Sequence, residues 1–249
     1  MKNPIKIILL FCFILLLNND SNAQWLQTNG PTGGFIKCTA ASGTHLFAGT
    51  LSGLYRSSNN GAAWTEITNT LGAYPIADIV VLGSDIFVTN GIVYRSTNNG
   101  DTWEETTSGI TNAVSALAIN GNTIYAGSNG QIFISTDHGV SWAAHGSFTA
   151  PNNFIESITS IGSNNLFAAG QFLVYRSTNN GANWSSASSG LTGNSMESIT
   201  AIGNTLFVGG YGGVFTSTNS GTSWTSALRG RSSRHRRTVC QQVPRPALH

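Results

Sequence analysis

One nine-residue phrase occurs five times in this chain, and each copy ends in tryptophan. The copies begin at Arg56, Arg95, Ile134, Arg176 and Thr216, and the first reads Arg-Ser-Ser-Asn-Asn-Gly-Ala-Ala-Trp. The tryptophans that end them are spaced 39, 39, 42 and 40 residues apart, and Trp25 lies another 39 residues before the first. A constant period near forty residues is typical of stacked or radial repeat architectures. The repeat therefore constrains the fold more than any other feature.

Each period divides into four short β segments. In the last unit these are Ser198–Ile202, Thr205–Val208, Val214–Ser217 and Ser223–Ala227, and glycine or asparagine bounds them. Such runs indicate strands joined by tight turns, and four strands per unit are typical of one propeller blade. A content of 29 glycines with 9% charged residues agrees with an all-β fold. The sequence predicts an all-β propeller with five complete blades, at about residues 33–70, 75–108, 114–147, 155–189 and 196–228.

The phrase can be interpreted as a turn that closes a β-hairpin through local hydrogen bonds. Its Asn or Asp can accept a hydrogen bond from a backbone N–H about two residues on, and its glycine can adopt a backbone angle that other residues resist. The Ser hydroxyl can bond locally, and the tryptophan ring can be buried. The predicted structural residues are Ser57, Asn59, Gly61, Trp64, Ser96, Asn98, Gly100, Trp103, Ser135, Asp137, Gly139, Trp142, Ser177, Asn179, Gly181, Trp184, Ser217, Asn219, Gly221 and Trp224.

The pattern Ser-x-Asp/Asn-x-Gly-x-x-Trp resembles the Asp-box, also called the bacterial neuraminidase repeat. That family includes sialidases, xyloglucanases, sortilin-type receptors, photosystem II assembly-factor-like proteins and uncharacterised secreted bacterial proteins. The repeat sequences of this chain are most similar to those of the last group. The resemblance covers about residues 24–228 and implies that each box joins the third and fourth strands of a blade. The chain departs from the pattern by using Asp only at Asp137.

The first 23 residues have the pattern of a secretory signal peptide. Lys2 and Lys6 precede the apolar run 7–17, and Ser21-Asn22-Ala23 supplies the small residues of a cleavage site. We therefore expect cleavage before Gln24, a secreted or cell-surface protein, and no membrane insertion afterwards. Cys38 and Cys240 would remain, and two cysteines do not make a disulfide framework or a metal site.

The two ends of the repeat region are unusual. Residues 24–28 resemble an isolated fourth strand, whereas residues 229–249 hold six arginines and no acidic residue. We interpret that tail as the product of a frameshift or a truncated gene, with a genuine basic tail as the alternative, and we expect an incomplete ring. Residues 24–228 hold four basic and nine acidic residues, a net charge of −5. Nucleic-acid binding by the repeats is disfavoured because it needs clustered positive charge.

Catalysis has weak support in the sequence. A sialidase would need arginines converging on one substrate carboxylate, but Arg56, Arg95 and Arg176 occupy the same repeat position in different units. A xyloglucanase would need two carboxylates facing each other across a cleft. Glu156 and Glu197 start equivalent inner strands, and Asp78 is predicted at a similar rim position. His45, His138 and His145 have no metal-ligand spacing. We expect no catalytic residues, metal or cofactor.

A binding surface is the remaining hypothesis. Loops opposite the repeated phrases vary between units, and variable loops commonly carry recognition. The candidate binding residues are Tyr74, His145, Phe148, Phe154 and Tyr211. If these side chains are exposed, they could stack on sugars or anchor a protein partner. The alternative is that they pack beneath their own loops. The sequence thus favours a secreted, non-enzymatic binding or scaffolding module for a glycan or protein. The alternatives are a sialidase-like or xyloglucanase-like glycoside hydrolase and an assembly-factor-like binding protein.

Overall fold

The structure is a computed structural model that describes residues 30–32, 34–148, 154–171, 173–192 and 195–227. Within these ranges no helix is long and apolar enough to cross a membrane. One short 3-10 helix, Asn69–Leu71, accompanies the strands. In chain order the strands are β1 (Ile36–Ser42), β2 (His45–Thr50), β3 (Gly53–Ser57), β4 (Thr65–Glu66), β5 (Asp78–Leu82), β6 (Asp85–Thr89), β7 (Val93–Ser96), β8 (Glu104–Glu105), β9 (Val114–Asn120), β10 (Thr123–Ser128), β11 (Gln131–Ser135), β12 (Ala143–Ser147), β13 (Ile155–Ile161), β14 (Asn165–Gly170), β15 (Val174–Ser177), β16 (Ser185–Ser186), β17 (Ser195–Ile202), β18 (Thr205–Tyr211), β19 (Gly213–Ser217) and β20 (Thr225–Ser226).

Every four consecutive strands form one antiparallel sheet, which we call blades 1 to 5 in chain order. The first strands of the blades (β1, β5, β9, β13 and β17) line one central cavity, so the blades lie in a ring around a common axis. Within the described residues the protein is a five-bladed β-propeller, which confirms the predicted all-β propeller of five four-stranded blades. The incomplete ring that the sequence suggested stays a prediction. The predicted signal peptide, the segment 24–28 and the arginine-rich tail lie outside the described residues.

The repeated phrase forms the same turn in all five blades, and we call it the repeat turn. In blade 1 the Ser57 hydroxyl donates to Asn59 Oδ1 at 2.9 Å and accepts the Gly61 N–H at 2.9 Å, while Asn59 Oδ1 accepts the Ala63 N–H at 2.8 Å. Equivalent bonds occur in blades 2 to 5. The Asn or Asp side chain thus reaches four residues on, not two, because two successive residues with positive φ reverse the chain.

The tryptophan that ends each repeat turn comes before the fourth strand, not within it as the sequence predicted. For example, β20 begins at Thr225, immediately after Trp224. The Nε1 groups of Trp142 and Trp224 donate to the carbonyls of Thr106 and Ala187, each at 2.7 Å, and both acceptors belong to the preceding blade. The repeat turn therefore links two blades as well as two strands.

Neighbouring blades pack through an aromatic ring of one second strand and the repeat turn of the next blade. Phe47, Phe87 and Phe167 are fully buried. A Cβ added at Gly139 of blade 3 would lie only 2.7 Å from the Phe87 ring. The glycine of the repeat turn is thus required by contact with the preceding blade as well as by its positive φ of 81°. Burial of each Phe ring contributes about 1.5–3 kcal/mol relative to leaving it exposed.

The connections between strands define two faces of the ring. The repeat turns and the turns between first and second strands form one face, the turn face. The turns between second and third strands and the connections between blades form the other, the loop face. The loop face is where the sequence predicted recognition.

Candidate functional site

Exposed apolar side chains concentrate on the loop face. Nine large apolar side chains are exposed in the described residues. Only Val140 and Ile202 lie at the turn face. The seven on the loop face are Phe35, Ile36, Leu51, Tyr74, Ile92, Phe154 and Tyr211. Because exposed apolar residues that are grouped mark interaction sites more often than scattered ones, the loop face is a candidate surface for contact with a partner.

Three of the five predicted binding residues lie on this surface. Tyr74 is in the connection from blade 1 to blade 2 and is 63% exposed; Tyr211 ends β18 and is 64% exposed. Phe154 precedes β13 and is 45% exposed, and it forms an isolated backbone bridge with Asn129. Tyr74 and Tyr211 thus present their rings to solvent, although they belong to blades that are distant in sequence.

The other two predicted binding residues lie elsewhere. Phe148 is buried, with its ring centroid 4.5 Å from that of Tyr175 and 5.0 Å from that of Trp184. His145 lies in β12 at an irregularity in the pairing with β11, and its Nε2 is 3.0 Å from the carbonyl oxygen of Asn180. Both side chains therefore contribute to the junction between blades 3 and 4, where the fourth strand of blade 3 is longer than its equivalents.

Sequence reasoning missed four residues of the loop face. Phe35 and Ile36 precede or begin β1, and the Leu51 N–H donates to the Phe35 carbonyl at 3.2 Å. Leu51 and Ile92 occupy turns between second and third strands. An apolar residue in such a turn was the available signal, since turns normally favour Gly, Asn, Asp, Ser and Pro.

The first strands of the five blades run from the loop face to the turn face around the central channel. The five inner strands enclose a cavity of about 320 Å³. Its wall is made by small or β-branched side chains, among them Ala40, Val80, Ala118, Thr159 and Thr200, which hold equivalent strand positions. Among the described residues, no charged side chain lines this cavity.

Three charged side chains occupy the loop-face opening of the channel. Glu156 and Glu197 hold equivalent positions near the starts of β13 and β17, and Lys37 holds the same position on β1. Although Glu156 is exposed, surrounding protein atoms desolvate it and raise the pKa of its carboxyl group, and the negative charge of Glu197 adds to this. Lys37 acts in the opposite direction. The opening therefore combines two neighbouring carboxylates with one amine.

Asp78 does not belong to this rim, contrary to the sequence prediction. It lies one strand position further along than Glu156 and is buried. Its carboxyl oxygens accept the N–H groups of Ile79 and Leu117, both at 2.8 Å. Burial raises the pKa of Asp78 to about 7, and the two N–H bonds oppose the rise. The one-residue offset turns the side chain from the opening to the neighbouring blade, because successive strand residues face opposite sides.

The arginines before the repeat turns do not share a contact. Arg56 donates to Asp101 Oδ1 at 2.6 Å and to the Asn99 carbonyl at 2.7 Å, both in blade 2. Arg95 donates to Asp85 in its own blade, and Asp85 also lies 3.0 Å from His138 Nδ1 of blade 3. The Arg176 guanidinium donates to the Asn165 side chain at 3.1 Å and lies 5.9 Å from the Phe167 ring centroid. These side chains stabilise blades and junctions instead of forming one carboxylate clamp.

Comparison with known proteins agrees with the architecture. Residues 41–154 match the family described as the DUF6242 beta propeller domain. No curated protein matches the sequence. Among solved structures, an ancestral GH74 enzyme is similar with a TM-score of 0.66 and 20% identity over 81% of this chain and 32% of that one.

Two further solved structures have the same fold. The extracellular domain of BT4673 from B. thetaiotaomicron has a TM-score of 0.65 and 20% identity, over 78% of this chain and 28% of that one. YCF48 bound to D1 peptide has a TM-score of 0.63 and 15% identity, over 79% of this chain and 68% of that one. The chain thus spans about a third of the length of the first two. Enzymes and binding proteins both occur among these propellers.

Proposed function

We propose that this propeller is a secreted, non-enzymatic binding or scaffolding module of the Asp-box type that contacts a glycan or protein partner through its loop face. The observation that supports this most directly is that seven of the nine large apolar side chains exposed in the described part of the chain lie on that face. The proposed extracellular location depends on the signal-like pattern of residues 1–23. Amino-terminal sequencing of the exported protein would then begin at Gln24.

Some exposed residues of the loop face suit a glycan or a protein partner, and others suit only a protein partner. Tyr74, Phe154 and Tyr211 provide rings that can stack on sugars or anchor peptide side chains. Leu51 and Ile92 lack such rings and fit an apolar protein segment better. A protein partner is further supported by the fold similarity to YCF48, which was solved with a bound D1 peptide.

The proposal is tested with two probes, a glycan array and a phage-displayed peptide library, followed by affinity measurement of any selected molecule. Tyr74→Ser and Tyr211→Ser should each weaken binding about tenfold, as expected for a truncated aromatic hot spot. Val140→Ser is the matched control, because Val140 is 65% exposed on the turn face. Affinity that is insensitive to both loop-face changes but lost in Val140→Ser would refute the assignment of the surface.

A second candidate function is glycoside hydrolysis, and one observation favours it. Glu156 and Glu197 lie close enough at the channel opening for one charge to raise the pKa of the other carboxyl group. Retaining and inverting glycosidases use a carboxyl pair about 5 to 10 Å apart, one member of which is protonated. Release of reducing sugar from xyloglucan, lost in both Glu156→Gln and Glu197→Gln, would establish this function. Absence of hydrolysis by a chain that binds the polysaccharide would favour the binding module.

A further inference from the structure

Three arginines in the described residues hold the same strand position, directly before the repeat turn. Arg56, Arg95 and Arg176 lie in the third strands of blades 1, 2 and 4, and each pairs with the phenylalanine of the second strand of its blade. The backbone around the three side chains is thus repeated. A difference in how their charges are neutralised must therefore come from the neighbouring side chains.

Acidic side chains neutralise the first two of these arginines. Arg56 Nη1 lies 2.6 Å from Asp101 Oδ1, which belongs to the repeat turn of the following blade. Arg95 lies 2.9 Å from Asp85, at the start of the second strand of its own blade, and 3.6 Å from Glu104 in the fourth strand. A carboxylate can therefore reach the repeated arginine from three places.

All three places hold neutral residues around Arg176. Asn165 begins the second strand and accepts a hydrogen bond from Arg176 Nη2 at 3.1 Å. Ser185 is paired with Arg176 in the fourth strand, where blade 2 has a glutamate. Thr222 follows the glycine of the repeat turn of blade 5, where blade 2 has an aspartate. Among the described residues, no carboxylate lies within ion-pair distance of Arg176.

A cleft of about 370 Å³ lies beside Arg176, between blades 4 and 5. Its other walls are the segment 185–189, which consists of four serines and one alanine, and residues 220–222 of the next repeat turn. In the part of the chain that the structure describes, the hydroxyl groups of Ser186, Ser189 and Ser220 make no hydrogen bond. The volume lies within the range of about 300–1,000 Å³ that small-molecule sites occupy. The cleft thus combines one unpaired positive charge with hydroxyl groups available to a ligand.

The three preceding junctions have a polar side-chain contact where this junction has the cleft. Arg56 bonds to the repeat turn of blade 2, Asp85 lies 3.0 Å from His138 of blade 3, and His145 lies 3.0 Å from the carbonyl oxygen of Asn180 in blade 4. Within the described residues, no side chain of blade 4 bonds to the corresponding positions of blade 5. The junction between blades 4 and 5 therefore leaves space where the others have a bond.

We propose that this cleft binds a uronic acid residue, with Arg176 holding the carboxylate and the serine hydroxyls bonding to the sugar hydroxyls. A carboxylate is the group that the equivalent Arg56 binds within the chain itself. Hydrogen bonds between an arginine and a carboxylate are stronger than those between neutral groups. The hydroxyl-lined space beyond the guanidinium is larger than a carboxylate needs and suits a sugar ring.

The guanidinium of Arg176 is held in place before a ligand arrives. Asn165 bonds to one of its nitrogens, and its central carbon lies 5.9 Å from the centroid of the Phe167 ring. A side chain that is already ordered loses less conformational entropy on binding. The cleft lies beside the repeat turns, whereas the proposed partner surface is the loop face, so this inference does not depend on the proposed function.

Ligand-observed NMR titration of the full chain with D-galacturonate, D-galactose and acetate tests the proposal. We expect galacturonate to bind more tightly than galactose, which lacks the carboxylate, and more tightly than acetate, which lacks the sugar ring. Equal affinity for either simpler compound overturns the proposal, and so does the absence of saturable galacturonate binding. Tri-galacturonate should also bind more tightly than a tri-glutamate peptide; the reverse order would assign the cleft to a protein carboxylate and overturn the sugar assignment.

Substitution of the arginines locates the binding. Arg176→Gln should weaken galacturonate binding about tenfold or more, because the charge-assisted bonds are lost. Arg56→Gln is the matched control, since Arg56 is already paired with Asp101, and it should leave the affinity unchanged. Equal losses in the two variants would indicate binding to the general charge of the protein and overturn the assigned site.

A third variant blocks the cleft while Arg176 remains in place. Thr222→Asp introduces a carboxylate at the position from which Asp101 reaches Arg56, so it should remove most of the affinity for galacturonate. Thr218→Asp is the matched control, because it adds the same charge to the same repeat turn at an exposed position outside the cleft. Unchanged affinity in Thr222→Asp overturns the proposal, as does an equal loss in Thr218→Asp.

Discussion

Asp78 should make the stability of the propeller fall as the pH rises from about 4 to about 7. Its carboxyl group is buried at the junction between blades 2 and 3, and desolvation raises its pKa from 3.8 to about 7. Between these values the folded protein retains a proton that the unfolded chain has lost. Stability from this group is therefore fully present below the unfolded pKa and is lost as the pH rises through the folded pKa.

The size of the effect follows from the pKa difference. Each unit of pKa shift corresponds to about 1.4 kcal/mol, so the contribution of Asp78 to the free energy of unfolding should fall by about 4 kcal/mol across this interval. Serine is the natural substitute, because Ser157 and Ser198 hold this position in blades 4 and 5. The Ser157 hydroxyl donates to the Ile199 carbonyl of the next blade at 3.3 Å.

Urea unfolding followed by tryptophan fluorescence at pH 4.5, 5.5, 6.5 and 7.5 measures this contribution. We expect Asp78→Ser to be less stable than the unsubstituted protein at pH 4.5, because the two N–H groups lose their acceptor. The difference in unfolding free energy between the two proteins should then shrink by most of the contribution of about 4 kcal/mol from Asp78 as the pH rises to 7.5. Other titrating groups are common to both proteins and cancel in the difference. A difference in unfolding free energy that stays constant with pH would refute the reasoning.

Three further changes test the repeat turn and the blade junctions, all by urea unfolding. Ser96→Ala should cost about 1–3 kcal/mol because it leaves a buried glycine N–H without its acceptor, and a smaller loss would contradict a structural role for the hydroxyl. Asn60→Val should cost about 1–2 kcal/mol more than Asn60→Gly, since Asn60 has a φ of 57°; equal stabilities would refute the assigned backbone angle. Gly109→Ala should destabilise far more than Gly121→Ala, because the added Cβ would overlap a carbonyl oxygen of blade 3 at the first position and meet nothing within 4 Å at the second. Similar losses at both would contradict the close approach.

The blades could be predicted from sequence because the signals that make them are short-range. The Ser, Asn and Gly of each repeat turn bond within four residues of one another, so the phrase contains its own geometry. Prediction from local sequence was less successful for the candidate functional residues. It grouped Phe148 with Tyr74, although Phe148 is 8% exposed and Tyr74 is 63% exposed. It also placed Asp78 at the channel rim, because a one-residue offset between strands cannot be read without the pairing.

The amino-acid sequence alone was sufficient to define the repeat length, the four strands of each blade and the turn that ends in tryptophan, since each depends on residues adjacent in the chain. The folded ring decided which aromatic side chains reach solvent and which carboxyl groups lie near one another at the channel opening. These properties depend on contacts between residues about forty positions apart, as for Leu117 and Asp78. Burial and pKa shifts arise from neighbours that only the closed arrangement of blades brings together.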